Sequence, residues 1–121
     1  MDRRHRLTRN RDFQEVRRRG RSWSHPSLVL LVRSNSLDHS RFGFLVGRRI
    51  GKAVQRNRIR RWLREAVRAR LGEVAPGCDV VFIARVRAAD ADFPGITEAV
   101  DCLLRRAGLT TPSAQAPDVA E

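Results

Sequence analysis

The clearest pattern of apolar and polar positions in this 121-residue chain lies between Arg41 and Arg70. Residues 42–46 are predominantly apolar, which predicts a strand. Gly47 and Gly51 then bracket a basic turn. From about Val54 onward, apolar residues return with the spacing of a helix: Ile59, Trp62, Leu63, Ala66 and Val67. The pattern predicts a strand, a basic loop and an amphipathic helix in direct succession.

The predicted helix carries opposite chemistry on its two faces. At about 100° of rotation per residue, the apolar positions occupy an arc from roughly −60° to +80° around Ile59, which is wide enough for a core face. The opposite side and its borders carry polar and basic residues: Arg56, Asn57, Arg58, Arg60, Arg61, Arg64 and Arg68. An ordinary solvated face would need acids to balance these bases, and Glu65 is the only acid between Val54 and Leu71. Because guanidinium groups bind phosphate oxygens in pairs, this face is predicted to meet a polyanion.

The first twenty residues predict a basic leader and a short helix. Leu7 is the apolar anchor expected in the leader over 1–9. Asn10 is a candidate N-cap for a helix from about Arg11 to Arg19, and Gly20 is its candidate C-cap. The arginines at the end of this helix complement its dipole and extend the basic surface.

A connector and two strands are predicted next. Residues 22–26 are expected to form the connector, in which Trp23 is either a hydrophobic plug over the sheet or a stacking platform for a base. Residues 27–33 are predominantly apolar and predict a strand. The polar stretch 34–40 is typical of a turn and fits a hairpin into a strand over 41–47.

The C-terminal part predicts a buried strand and a final helix. Residues 79–86 are almost wholly apolar, as in a strand covered on both faces, which favours a central position in the sheet. Pro94 opens a last helix that Gly108 closes, and residues 109–121 have the composition of a disordered tail. The fold class is therefore α+β: a single domain over residues 1–108, an α/β sandwich in which helices pack on a small mixed central sheet.

The charge of the chain is high and unevenly distributed. Lys and Arg number 25 against 13 Asp and Glu, which gives a formal net charge of +12. Residues 1–70 hold 21 of the bases and 5 of the acids, a net of +16, whereas residues 71–121 hold 4 bases and 8 acids, a net of −4. This excess favours a nucleic acid as the partner and places the interaction surface on the first 70 residues.

Membrane, secreted and metal-binding classes find no support in the sequence. No apolar run approaches the ~20 residues needed to cross a bilayer. The basic N-terminus lacks the apolar segment of a secretory signal, so a cytoplasmic location is expected. Cys78 and Cys102 do not form a CxxC pair and the three histidines are scattered, which predicts buried thiols rather than a metal site.

We find no catalytic centre in the sequence. The stretch Gly47–Lys52 has two glycines and a lysine, but its spacing differs from that of a phosphate-binding loop. Asp79, Asp90 and Asp92 would suit a metal cluster for phosphodiester hydrolysis, but they lie in the acidic part of the chain, and Asp90 and Asp92 are better explained as loop or capping residues. A protein that acts on RNA without catalytic residues is expected to bind, fold or present it.

The segment RNRIRRWLRE, preceded by RFGFLVGRRIGKAV, closely resembles the signature of the protein subunit of bacterial ribonuclease P. The similarity extends to RLTRNRDFQEVRRRGRSW and GCDVVFIAR and covers roughly residues 5–107. For the fold, the resemblance implies a ribosomal-S5-domain-2-like arrangement. In that fold the basic helix lies in a left-handed crossover between parallel strands, an exception to the right-handed rule.

For the function, the resemblance implies the small protein cofactor of a large catalytic RNA. That RNA carries out the metal-dependent hydrolysis that removes the 5′ leader from precursor tRNA, so the chain is expected to be an enzyme only as a subunit of this endoribonuclease. The implied partners are the RNA subunit and precursor tRNA, without a membrane and without a required protein partner. Magnesium is expected at the RNA active site, and no cofactor, metal or catalytic residue is expected in this chain.

The resemblance also implies two sets of site residues. The RNA subunit is expected to bind the Arg-Asn-Arg triplet and the bases around it: Arg48, Arg49, Lys52, Arg56, Asn57, Arg58, Arg60, Arg61, Arg64 and Arg68. Phe13 matches an aromatic residue in a cleft, between the first helix and the sheet, that receives the leader. Arg17 and Leu31 stand where the family often has further aromatic residues, each worth about 1–3 kcal/mol per stacked base. Arg17 is a candidate to replace ring stacking by guanidinium stacking or a phosphate contact, and Trp62 is interpreted as core.

The main alternative is a ribosomal or other structural RNA-binding protein, which composition alone would favour and against which the Arg-Asn-Arg context argues. A self-sufficient nuclease would need clustered carboxylates. A DNA-binding helix-turn-helix would need a partner helix just before the central helix, where the pattern predicts a strand.

Overall fold

A four-stranded mixed sheet organises the fold. The structure, a computed structural model, describes residues 2–110. The strands are β1 (Arg21–Ser24), β2 (Leu28–Ser34), β3 (Arg41–Leu45) and β4 (Cys78–Ala84), and the helices are α1 (Asn10–Arg19), α2 (Ala53–Arg70) and α3 (Phe93–Arg106). Short 3₁₀ turns cover Arg3–His5, Arg48–Ile50, Leu71–Glu73 and Val86–Asp90. The α+β class predicted from the sequence is confirmed.

The strands lie in the order β1-β2-β4-β3, which places β4 inside the sheet. β4 pairs antiparallel with β2 along its whole length and parallel with β3 on its other side. Val80, Val81 and Phe82 are fully buried, so the central position predicted for this strand is confirmed. The chain passes from β3 to the parallel strand β4 through α2.

The hairpin predicted between the second and third strands is wrong. β4 lies between β2 and β3, so residues 34–40 connect two strands that do not pair. A strand with apolar side chains on both faces buries more of them inside a sheet than at an edge, which accounts for this insertion. The hairpin is instead formed by β1 and β2, which pair antiparallel. Most of β1 lies in residues 22–26, which were predicted to be a connector. This strand escapes prediction because three of its four residues are polar.

Helices cover both faces of the sheet. On one face α2 and α3 enclose the main core, whose fully buried side chains include Leu30, Phe42, Leu63, Phe82 and Leu103. On the opposite face α1 covers a smaller cluster of Leu7, Val16 and Val81, which confirms Leu7 as the anchor of the N-terminal leader. Trp23 packs half-buried against the main core with the Arg21 guanidinium 5.3 Å from its ring centroid, as expected for a plug.

The two ends of α1 differ in how well they were predicted. The helix begins at Asn10 itself, and Arg9 takes the N-cap position without a side-chain capping bond. The C-cap is Gly20, as predicted, and its N–H donates to Val16 O at 2.8 Å. The predicted capping role of Asn10 is therefore wrong by one position.

The folded domain continues slightly beyond its predicted end. Leu109 is buried in the main core, and Thr110 forms an antiparallel bridge with Val74. Residues 109 and 110 therefore belong to the domain rather than to the predicted tail, because the chain turns back at Gly108, whose φ is 75°. The rest of the predicted tail, residues 111–121, lies outside the described residues. Within residues 2–110, no helix is long and apolar enough to cross a membrane.

Candidate nucleic-acid interface

The basic turn before α2 is held in place by a buried side chain and a glycine. Ile50 anchors the turn in the main core. Gly51 follows with a φ of 152°, and a Cβ atom at this position would overlap Gln55 Oε1. The glycine therefore leaves room for Gln55 to accept the backbone N–H of Lys52 at 3.2 Å, at the start of α2. The basic side chains of this segment are exposed: Arg48, Arg49 and Lys52.

α2 buries the predicted apolar face with one exception. Ile59, Leu63, Ala66 and Val67 are at most 3% exposed. Trp62 was interpreted as core from the sequence, but it is only partly buried. The ring lies at the outer margin of the contact between α2 and α3, with its centroid 6.2 Å from that of Phe93, so part of it faces solvent.

The ten residues predicted to bind the RNA subunit, which we call the basic surface, are largely free of acids. Seven of them are exposed, and Arg56, Arg60 and Arg64 are half-buried. Within residues 2–110, Arg68 is the one member of the set in a salt bridge, at 2.8 Å from Glu65, and this hydrogen bond lowers the pKa of Glu65. Within the described residues, ion pairs therefore do not neutralise the basic surface, and most of its guanidinium groups remain available to phosphate.

A groove runs between α1, the edge strand β3 and α2. Its narrow part encloses about 260 Å³ and its wide part about 570 Å³. Phe44 and Arg60 line both parts, so these are two ends of one groove, which we call the β3 groove. Further residues of the narrow part include Arg6, Leu7, Thr8, Phe13 and Arg64. Further residues of the wide part include Arg17, Leu45, Arg49 and Ile83.

Hydrogen bonds hold Arg60 at the middle of the β3 groove. Its guanidinium donates to Asn57 Oδ1 at 2.9 Å and to Val46 O, just after β3, at 3.3 Å. Arg64 lies one helical turn later and lines the narrow part. The structure thus divides the basic surface, because Arg60 and Arg64 face the groove whereas residues such as Arg61 lie exposed on the outer side of α2.

Phe13 lies in the β3 groove directly against Gly43. A Cβ atom on Gly43 would overlap the Phe13 ring, so the absence of a side chain lets the ring lie on the sheet. The ring is half-buried and packs on the cluster of Leu7, Val16 and Val81. The core covers one part of the ring, and the rest is open to the groove.

The other two residues predicted to contact the leader lie in different surroundings. Arg17, one helical turn after Phe13, is exposed and lines the wide part of the β3 groove with Leu45 and Ile83. Leu31 is half-buried against the small cluster beneath α1, in β2, two strands away from β3. The structure therefore brings Phe13 and Arg17 into one groove and places Leu31 on the same face of the sheet, beside the cluster that supports α1.

A buried carboxylate holds α1 against the sheet. The Asp79 side chain is 5% exposed and accepts two hydrogen bonds from Arg41, at 2.8 and 2.7 Å, and one from Asn35 at 2.9 Å. The hydrogen bond to Asp79 raises the pKa of Arg41. Arg41 also lies 3.5 Å from Asp12 in the first turn of α1. Because Asp12 precedes Phe13, this network fixes the turn of helix that carries the aromatic ring.

The carboxylates considered for a metal cluster have other roles. Asp79 belongs to the ion pair with Arg41, and Asp92 caps α3 by accepting the N–H of Gly95 at 2.8 Å. Asp90 is exposed in the 3₁₀ turn before α3. Across the described range 2–110, no group of three or more His, Cys, Asp or Glu side chains is placed to hold a metal ion.

Arg6, Thr8 and Phe44 line the β3 groove and were not predicted from the sequence. Arg6 and Thr8 reach the groove because the N-terminal leader pairs with the edge of β3, where the Leu7 N–H donates to Phe42 O at 2.8 Å. The basic composition of the N-terminal protein segment, residues 1–9, indicated an interface. No local pattern indicates that this segment returns to the edge of a strand.

The sequence matches a known family along almost all of the described residues. The model of the Ribonuclease P family covers residues 1–108. The chain belongs to the ribonuclease P protein family. The resemblance drawn from the Arg-Asn-Arg segment is thereby confirmed.

Curated relatives and solved structures of the ribonuclease P family agree with this assignment. The chain is 48% identical over 110 residues to the ribonuclease P protein component of Roseiflexus castenholzii, covering 90% of each. It is 44% identical over 109 residues to that of Herpetosiphon aurantiacus, covering 90% of this chain and 89% of the relative. The structure is similar to the RNase P protein from Staphylococcus aureus, with a TM-score of 0.83 at 30% identity over 88% and 98% of the two chains. The RNase P protein from Thermotoga maritima gives 0.75 at 36% identity over 83% and 96%.

Proposed function

We propose that this chain is the protein subunit of a ribonuclease P ribonucleoprotein and that, in the cytoplasm, it promotes endonucleolytic removal of the 5′ leader from precursor tRNA. Membership of the family supports this role. The observation that carries it is the position of the basic surface beside a groove that contains an aromatic ring. In this arrangement the outer side of α2 and the basic turn bind the RNA subunit, and the β3 groove holds the leader.

Binding of the RNA subunit follows from charge and exposure. The side chains of Arg48, Arg49 and Arg61 are exposed and have no carboxylate partner within residues 2–110. Guanidinium groups bind phosphate through paired N–H donors, and each phosphate contact releases counterions, so binding is expected to weaken steeply with salt. A protein of net charge +12 also reduces the repulsion between two large RNAs that must approach each other.

Binding of the leader follows from the lining of the β3 groove. Proteins bind single-stranded nucleic acid through aromatic rings that stack on bases and through cations that follow the backbone. Phe13 supplies the ring, Arg60 and Arg64 supply cations on the α2 wall, and Arg17 supplies one at the wide end. Arg60 and Arg64 are therefore assigned to the leader as well as to the basic surface. Leu31 contributes by packing beneath α1.

Catalysis is assigned to the RNA. Magnesium bound by the RNA subunit supplies the hydrolytic chemistry in the assembled ribonucleoprotein. The residues of this chain hold the RNA subunit and orient the leader, and Asp79 and Asp92 serve the fold rather than the reaction. Because the protein neutralises phosphate charge, its effect on cleavage is expected to be largest at low magnesium concentration. No protein-bound cofactor and no further protein partner are part of the proposal.

The function is tested by cleavage of precursor tRNA at low magnesium, with the RNA subunit alone, the protein alone and both together. We expect rapid cleavage at the mature 5′ end only in the mixture. Cleavage by the protein alone would reveal an active site in this chain. Binding of RNA without any effect on cleavage would favour the alternative, a structural RNA-binding protein.

Gly43→Ala is expected to weaken binding of the leader. The new Cβ atom would overlap the Phe13 ring, and such overpacking costs about 1–3 kcal/mol and displaces the ring. We expect the affinity of the holoenzyme for precursor tRNA to fall roughly fivefold to a hundredfold, the equivalent of one stacked base, toward its affinity for leaderless tRNA. Affinity for the RNA subunit should stay unchanged.

Gly72→Ala is the matched control for this variant, because among residues 2–110 no atom beyond its chain neighbours lies within 4 Å of a Cβ atom at that position. It should change neither affinity. Binding competition between precursor and leaderless tRNA measures the effect, and a melting curve verifies folding. If a folded Gly43→Ala protein keeps full preference for the leader, Phe13 does not contact it.

A further inference from the structure

An aromatic pair lies on the flank of α2 that faces away from the β3 groove. Phe93 is 40% exposed, and its ring centroid is 6.2 Å from that of the partly buried Trp62, with 51° between the ring planes. The Arg58 guanidinium carbon lies 5.7 Å from the centroid of the Trp62 ring. We call these three side chains the aromatic platform. Arg58 belongs to the basic surface, but neither that surface nor the β3 groove accounts for the two aromatic rings beside it.

The position of the platform separates it from the leader. At about 100° per residue, Trp62 lies about 200° around α2 from Arg60, counted across the solvent-facing side of the helix, and Arg60 faces the β3 groove. The exposed outer side of the helix, with Arg61, lies between them. A nucleic acid bound along the outer side of α2 therefore has the platform on one flank, while the leader occupies the other.

The charges around the platform favour a base over a phosphate. On the α2 side, Arg58 and Arg61 are exposed cations that suit a phosphate backbone. On the α3 side, Asp92 is exposed next to Phe93, and Glu98, Asp101 and Arg105 line the surface cavity beside the Phe93 ring. Among the described residues, three carboxylates against one free guanidinium, with Asp101 paired to Arg70, make this side less favourable to phosphate than the α2 side. A backbone held by the arginines thus directs an uncharged group toward the rings. Aromatic rings and a guanidinium plane are the groups on which unpaired bases stack.

We propose that an unpaired base of the RNA subunit stacks on the platform of Arg58, Trp62 and Phe93. This rests on the proposed function, since it takes the RNA on the outer side of α2 to be the RNA subunit. The two rings expose too little apolar surface, among charged neighbours, for a protein interface. A base needs only one ring-sized surface with a cation at its border.

Tryptophan fluorescence tests the proposal directly. The chain has two tryptophans, and Trp23 lies half-buried against the main core beneath Arg21, so Trp23→Phe leaves Trp62 as the single reporter. We expect a large decrease in Trp62 emission when this protein is saturated with the RNA subunit. In the otherwise wild-type chain, Trp62→Leu and Phe93→Leu should each lower affinity for the RNA subunit roughly fivefold to a hundredfold, as for loss of one stacked base. Leu37→Ala, at a position 42% exposed on the connection between β2 and β3, is the control and should leave it unchanged.

The outcomes separate this inference from the function on which it rests. Unchanged Trp62 emission with normal assembly and normal low-magnesium cleavage would overturn the platform and leave the proposed function intact. Quenching that appears only on addition of precursor tRNA would assign the base to the substrate and overturn the proposal as stated. Failure of the protein to bind the RNA subunit would overturn both. Binding with quenching of Trp62 but without any effect on cleavage would overturn the proposed function alone. If Trp62→Leu does not fold, the fluorescence titration and Phe93→Leu decide the question.

Discussion

Replacing Asp79 with alanine should lower the free energy of unfolding by about 3 kcal/mol. The variant leaves the Arg41 guanidinium and the Asn35 amide without their carboxylate acceptor in a site where the Asp79 side chain is only 5% exposed. Breaking a buried pair from one side costs about 3–5 kcal/mol, and we expect the lower end because the Arg41 side chain is 25% exposed. Urea denaturation should show a lower midpoint with an unchanged slope.

The effect should reach α1 as well as the sheet. Arg41 also lies 3.5 Å from Asp12, so loss of its main partner removes the constraint on the turn of helix that carries Phe13. Leader preference is therefore expected to fall together with stability. Asp90→Ala removes an exposed aspartate and should change stability by no more than about 0.5 kcal/mol. If Asp79→Ala costs no more than this control, the ion pair contributes nothing to the fold.

The elements nearest to the interface follow from local patterns. α2 is predictable because its buried residues, Ile59, Leu63, Ala66 and Val67, repeat at helical spacing and pack against neighbours on one side only. β4 is predictable as a central strand because its side chains are apolar on both faces. In both cases the sequence of the element itself determines which side chains are buried.

The arrangement of these elements depends on contacts between distant residues. The Arg41–Asp79 pair joins β3 to β4, and no local pattern distinguishes it from an exposed arginine and an exposed aspartate. Helical spacing places Arg60 and Trp62 on opposite flanks of α2, but it does not indicate that β3 and Phe13 lie beside one flank and Phe93 beside the other. The helical periodicity of α2 therefore could not predict the β3 groove, although the residues of α2 that line this groove were predicted to contact RNA.

Replacing Arg56, Asn57 and Arg58 together with alanine should weaken binding of the RNA subunit by about a hundredfold. Two cations are lost, each worth about 1.5 kcal/mol if it makes one charge-assisted hydrogen bond. The supporting contacts are also lost, because Arg56 Nε donates to Gly51 O at 3.2 Å and Asn57 accepts from Arg60. The first of these contacts steadies the basic turn, and the second orients a guanidinium at the β3 groove.

The salt dependence of binding distinguishes the effect of where the two arginines lie from the effect of the protein's net charge. Loss of two phosphate contacts should flatten the slope of log affinity against log salt by about 1.5, because each contact contributes roughly 0.7–0.9. The control, Arg87→Ala with Arg106→Ala, removes the same charge from exposed positions in the acidic part of the chain. It should leave both the slope and the affinity close to wild type. Equal losses in the two variants would mean that the RNA subunit responds to total charge, and the Arg-Asn-Arg triplet would then have no specific part in assembly.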